Sequence, residues 1–131
     1  MLIKIDFESD APIYTQLKNE IIAGIAKGEL VPGEALPSVR SLGSDLGINL
    51  HTVNKAYKQL GQDGYILIHR QRGVVINPDG PPQADETYIE NLKSILDPIL
   101  AESICRGVTK EDFFQICQSL YKEYNIGEGE K

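Results

Sequence analysis

A mainly α-helical chain with one small β-hairpin, arranged as a winged helix-turn-helix followed by a two-helix dimerisation tail, is the fold this sequence predicts. Three observations predict it. Apolar residues recur at helical spacing in three successive segments before residue 64. Two short β-rich runs follow at once. A stretch dense in proline and glycine then breaks the chain, and helical spacing resumes beyond it.

The first helix is expected after Asp10-Ala11-Pro12, with Asp10 as its cap and proline in the first turn; Ile13, Leu17, Ile21 and Ile25 then form one stripe that ends at Lys27-Gly28. Before it, Ile3, Ile5 and Phe7 alternate with polar residues and suggest an extra strand. After the Pro32-Gly33 turn, Pro37-Ser38 opens a shorter helix with Val39, Leu42 and Leu46 facing inward and Gly47 ending it. Asn49 caps a third helix, which buries Val53, Ala56, Tyr57 and Leu60 and stops at Gly64. Tyr65–His69 and Gly73–Ile76 are rich in β-branched residues, and Arg70-Gln71-Arg72 between them makes a hairpin tip. Tyr14, Tyr57 and Tyr65 read as packing residues.

Residues 1–76 thus form the helix-turn-helix module and residues 77–83 a linker, since Asn77-Pro78-Asp79-Gly80-Pro81-Pro82 neither continues a helix nor joins a sheet. Residues 84–131 form the tail. Ile89, Leu92, Leu96, Ile99, Leu100 and Ile104 share a helical face, with Pro98 removing one backbone hydrogen bond. Thr109 caps a last helix, Glu111 and Asp112 suit its first turn, and Phe113, Ile116, Cys117, Leu120, Tyr121 and Tyr124 make its apolar face. Two amphipathic helices on a short turn bury both stripes poorly by themselves, so a second copy is the simplest partner. Leu92, Leu96, Ile99, Phe113, Ile116, Leu120 and Tyr121 are the expected dimer contacts. The aromatic run of Phe113, Phe114, Tyr121 and Tyr124 is read as interface core in preference to a ligand pocket.

The net charge of −6 opposes nucleic-acid binding until its distribution is counted. Residues 1–76 carry eight Lys/Arg and eight Asp/Glu, whereas residues 77–131 carry five against eleven. The acidic excess therefore belongs to the tail. Between Arg40 and Arg72, five cations and two histidines face only Asp45 and Asp63.

Helix, turn, helix and hairpin in this order place the start of the third helix in a DNA major groove. The exposed positions there are Leu50, His51, Thr52, Asn54 and Lys55, with Lys58 one turn further. They offer amide, hydroxyl and imidazole groups for base edges, a leucine for a methyl, and cations for phosphate. Arg40 suits a phosphate or a guanine edge. Arg70, Gln71 and Arg72 suit the neighbouring minor groove or its phosphates. Ser38 is either a cap or a weaker contact, and Lys55 and Lys58 are either phosphate contacts or members of helix-surface ion pairs.

Six ordered blocks carry a resemblance: Pro12-Ile-Tyr-x-Gln-Leu, Gly28-Glu-Leu-x-Pro-Gly33, Leu36-Pro-Ser-x-Arg40, Leu46-Gly-Ile-Asn49, Thr52-Val-x-x-Ala-Tyr57 and Asp63-Gly-Tyr65. Together they resemble the GntR family of bacterial transcription regulators, and the short tail resembles its YtrA-type branch. The resemblance implies that Arg40, His51, Thr52, Asn54 and Arg70 contact DNA, that the tail dimerises the protein, and that the regulated operon encodes a membrane transporter. Two positions depart from the pattern. Gln71-Arg72-Gly73 stands where relatives usually carry Gly-x-Gly, and Leu50 stands where many place a polar or basic residue, which implies an altered operator preference.

Catalysis is excluded at this level: the residues after the linker are too few for a cofactor-binding fold, and no Cys/His or Ser/His/Asp grouping or phosphate-cradling loop is present. Cys105 and Cys117 lack metal or redox spacing and read as buried reduced thiols, His51 has no second metal ligand spaced for it, and neither metal nor cofactor is expected. With no leader peptide and no apolar run of membrane length, a cytoplasmic protein is expected. The expected partners are duplex DNA and a second copy of the chain. A small-molecule effector stays open and unidentified, its expected place being the crevice between the module and the tail. A protein-docking role for the winged helix is the competing reading, and the concentrated cations argue against it.

Overall fold

The computed structural model describes residues 3–124, and residues 125–131 of the expected tail lie outside the described residues. The chain divides into two compact units, Met1–Pro82 and Gln83–Lys131.

In the first unit the elements run α1 (Ile13–Ala26), β1 (Ala35–Leu36), α2 (Val39–Leu46), α3 (Leu50–Gln62), β2 (Ile66–His69) and β3 (Gly73–Ile76). The three strands form an antiparallel sheet in the order β1-β3-β2, with Leu36 opposite Val74 and Ile66 opposite Ile76. α3 packs against both α1 and α2, and its C-terminal end meets β2. Leu17 and Ile21 of α1, Leu42 of α2, and Val53, Ala56, Tyr57 and Leu60 of α3 are buried with Ile66, Val74 and Ile76 from the sheet. Each large side chain in this cluster contributes about 1.5–3 kcal/mol through its removal from water. Ile13 and Ile25, at the two ends of the α1 stripe, are only partly covered.

The third strand is not the one expected. Ile3, Ile5 and Phe7 form no strand, and Phe7 is exposed. Gln16 of α1 captures this segment instead: its side chain accepts from the Asp6 amide at 2.8 Å and donates to the carbonyls of Asp6 and Ala11. The free edge of β3 is taken by β1. The Pro32-Gly33 turn, closed by the Glu34 amide donating to the Val31 carbonyl, delivers β1 there, and the Gly33 amide donates to the Ile76 carbonyl at 2.9 Å. Asp10 does not cap α1 either; Pro12 occupies the cap position with no side-chain hydrogen bond.

Residues 77–82 are bound to the first unit, not loose. The Asn77 amide donates to the Tyr65 carbonyl, and its side-chain nitrogen donates to the carbonyls of Gly64 at 2.8 Å and Gly80 at 3.1 Å. Gly64, at φ +88°, leaves room for this: a β-carbon there would stand 3.0 Å from Pro82 Cδ.

The second unit contains α4 (Glu86–Cys105) and α5 (Lys110–Glu123), with α4 continuous through Pro98. Asp85 caps α4 by accepting from the Tyr88 amide, and Thr109 caps α5 by accepting from the Asp112 amide. The two helices do not pack side by side and neither has a buried residue. Leu92, Leu96, Ile99, Ile116, Leu120 and Tyr121 are all exposed and Phe113 is half-buried. Within the single chain, Cys105 is exposed and Cys117 half-buried, on helices that have no core of their own to enter. Among the described residues, no helix is long and apolar enough to cross a membrane.

Candidate nucleic-acid interface

The site is built from the starts of two helices and a hairpin tip. At α2, the Ser38 hydroxyl accepts from the Ser41 amide at 3.0 Å, which is the capping role considered for it, and Arg40 projects into solvent from the first turn. Gly47 ends α2 in the left-handed conformation at φ +70°, a geometry that glycine adopts without strain. Asn49 then starts α3 by accepting from the His51 amide at 2.7 Å.

From that cap, helical geometry sets the presentation. Val53, Ala56, Tyr57 and Leu60 point into the core, so Asn54, Lys58, His51 and Lys55 fall on the opposite side and all are exposed, with Leu50 at its margin. The structure therefore brings five of the six expected α3 residues onto one outward face. Thr52 lies on the flank and is partly buried. Lys55 Nζ rests 4.0 Å from the centroid of the Tyr14 ring, so a residue expected to pair with phosphate or with a carboxylate is held over an aromatic face. Lys18 of α1 donates to Gln59 Oε1 at 2.9 Å and ties α1 to the following turn of α3.

At the hairpin tip, the His69–Gly73 pairing closes a loop of Arg70, Gln71 and Arg72, all exposed, and Gly73 takes φ +81°. Glycine adopts that left-handed conformation without strain, so the second glycine position of the usual pattern is kept while Gln71 replaces the first. Arg40, Lys58, Arg70 and Arg72 have no carboxylate ion pair among the described residues. Cations so placed remain available to an external anion.

Two structural residues of the site escaped the sequence reading. Tyr57, recognised only as core, donates its hydroxyl to the Pro37 carbonyl at 2.8 Å; burial pushes this hydroxyl above its ordinary value, so it stays protonated as a donor. The bond joins the middle of α3 to the residue before the α2 cap, and so ties Ser38 and Arg40 to the helix that carries His51 and Asn54. Gly43 is the second. A β-carbon there would stand 3.0 Å from the Ile48 carbonyl oxygen and 3.5 Å from Leu50 Cα, so glycine lets the two helices approach. Its only signal in the sequence is a small residue beside Leu42, on the buried side of α2.

Among the described residues there is no group of three or more His, Cys, Asp or Glu able to hold a metal ion.

Residues 13–76 match the family described as "Bacterial regulatory proteins, gntR family". The chain is 34% identical over 110 residues to the HTH-type transcriptional repressor YtrA of Bacillus subtilis (strain 168), an overlap of 84% of this chain and 85% of that protein. Among solved structures, a transcriptional antiterminator from Listeria monocytogenes EGD-e matches with a TM-score of 0.88 over 100% of this chain and 98% of its own, at 24% identity, a level that speaks for fold alone. The DNA-binding domain of AraR in complex with operator ORX1 matches with a TM-score of 0.52 and 25% identity, over 58% of this chain and 98% of that one.

Proposed function

The chain belongs to the GntR family of bacterial regulatory proteins, and from that premise we propose that it acts in the cytoplasm as a homodimeric repressor of transcription on a pseudo-palindromic operator. The observation that carries the reading is the set of exposed groups on α2, α3 and the hairpin: Arg40, His51, Asn54, Lys58, Arg70 and Arg72, whose cations have no carboxylate partner among the described residues. Asn54 and His51 supply hydrogen bonds to base edges, and the cations neutralise phosphates. The AraR match supports the operator reading, because that domain is a solved operator complex of the same fold.

The homodimer is supported by the two tail helices, whose apolar faces lie open among the described residues: Ile95 is 62% exposed and Ile104 64%. Two modules so joined read half-sites about 34–36 Å apart, one turn of the duplex. The regulated genes, by the resemblance to the YtrA-type branch, belong to a transporter operon.

The test is fluorescence anisotropy on promoter fragments, beginning with the one upstream of the chain's own operon. Affinity is expected to fall linearly on logarithmic axes as salt rises. Arg40→Ala is expected to lower it about ten-fold or more, reducing the salt slope by about one if Arg40 holds a phosphate. Binding without sequence preference at moderate salt, or unaltered by Arg40→Ala, overturns the proposal.

A further inference from the structure

Leu50 is the first residue of α3 and is 38% exposed, on the margin of the same face as His51 and Asn54. Its backbone is fixed from two sides. Asn49 caps the helix immediately before it, and its Cα stands 3.5 Å from where a Gly43 β-carbon would be, so α2 backs the start of the helix closely. The part of this apolar side chain left open to solvent has no hydrogen bond to offer. In the major groove, one base edge alone presents an apolar group: thymine, through its C5 methyl.

We propose that Leu50 is a specificity-determining residue that reads a thymine methyl in each operator half-site. The inference rests on the DNA-binding reading above and deepens it. Asn54 stands one helical turn further along the same side, about 6 Å in axial rise, so the thymine read by Leu50 lies within about two base pairs of the base read by Asn54. Because amide side chains pair bidentately with adenine, the half-site is expected to hold a thymine and an adenine at that spacing.

The experiment starts from an operator selected by the full-length protein out of randomised duplex. Each thymine is then replaced by uracil, which deletes the methyl and leaves the hydrogen-bonding edge unaltered. Affinity is measured for the unmodified protein, Leu50→Ala and Leu50→Met. One thymine per half-site is expected to cost the unmodified protein about four-fold when its methyl is removed, the equivalent of one buried methyl. That penalty is expected to vanish in Leu50→Ala and to persist in Leu50→Met, which keeps apolar reach. If no uracil replacement costs affinity, or if the penalty is the same in Leu50→Ala, the inference is overturned while the DNA-binding reading stands. If the selection enriches no sequence, both fall.

Discussion

Replacing Gly43 by alanine tests whether the close crossing of α2 and α3 holds the proposed reading head together. The new methyl would lie 3.0 Å from the Ile48 carbonyl oxygen, 3.5 Å from Leu50 Cα and 3.6 Å from Val53 Cγ2. The first two are backbone atoms, and the turn that carries them is already committed: the Ile48 amide donates to the Gly43 carbonyl at 2.9 Å, and Gly47 sits at φ +70°. Relief therefore requires the start of α3 to move by a few tenths of an ångström. Overpacking of this kind costs about 1–3 kcal/mol, and the better helix propensity of alanine returns up to about 1. A net loss of about 1–2 kcal/mol is expected. Gly61→Ala is the matched control, because Gly61 is also helical but its nearest neighbour, Ile68 Cδ1, would be an ordinary 3.6 Å away; there the propensity gain stands nearly alone and raises stability by up to about 1 kcal/mol. Thermal melts followed by far-ultraviolet circular dichroism should separate the two variants by roughly 10 °C or more. If Gly43→Ala melts with or above Gly61→Ala, the close crossing does not constrain the start of α3.

Other perturbations probe different parts of the chain. Tyr57→Phe removes the hydroxyl that donates to the Pro37 carbonyl and is expected to cost about 1–2 kcal/mol in urea unfolding; an unchanged midpoint would mean that the bond is not formed in solution. Leu96→Asp with Ile99→Asp, on the exposed face of α4, is expected to convert the proposed dimer to monomer in sedimentation velocity while circular dichroism of the first unit is retained, and a dimer that persists would move the interface elsewhere. Asn77→Ala removes three side-chain hydrogen bonds and is expected to speed amide hydrogen exchange at residues 64–80; unchanged exchange would refute a role for Asn77 in holding that segment.

The helices and the hairpin were legible because each is announced by a local signal: Ser38 and Asn49 at helix starts, Gly47 at a stop, a three-residue tip between two β-branched runs. The buried face of α3 was legible for the same reason, since Val53, Ala56, Tyr57 and Leu60 follow helical periodicity without a gap. What escaped was decided by contacts distant in sequence. Ile3, Ile5 and Phe7 have a strand's alternation, but Gln16 takes the Asp6 amide and the two-residue β1 takes the sheet edge. A two-residue strand has no periodicity to detect. Likewise Lys55 reads as a solvated cation until α1 brings the Tyr14 ring beneath it, and Gly43 reads as a weak helix residue until α3 crosses it. The outward residues of the proposed interface were readable because they are what the core pattern leaves over.

Asn77 and the proline pair convert a segment composed like a flexible spacer into a short tether. With Pro81 and Pro82 lying against Gly64, only Gln83 and Ala84 separate the docked chain from the Asp85 cap of α4. Two extended residues span about 7 Å, roughly two steps of 3.4 Å along a duplex. In the proposed homodimer, a link this short limits how far each DNA-binding module can travel from its tail. Spreading the half-sites of the proposed operator is expected to weaken binding once the shift exceeds that reach, unless Asn77 gives up its hydrogen bonds.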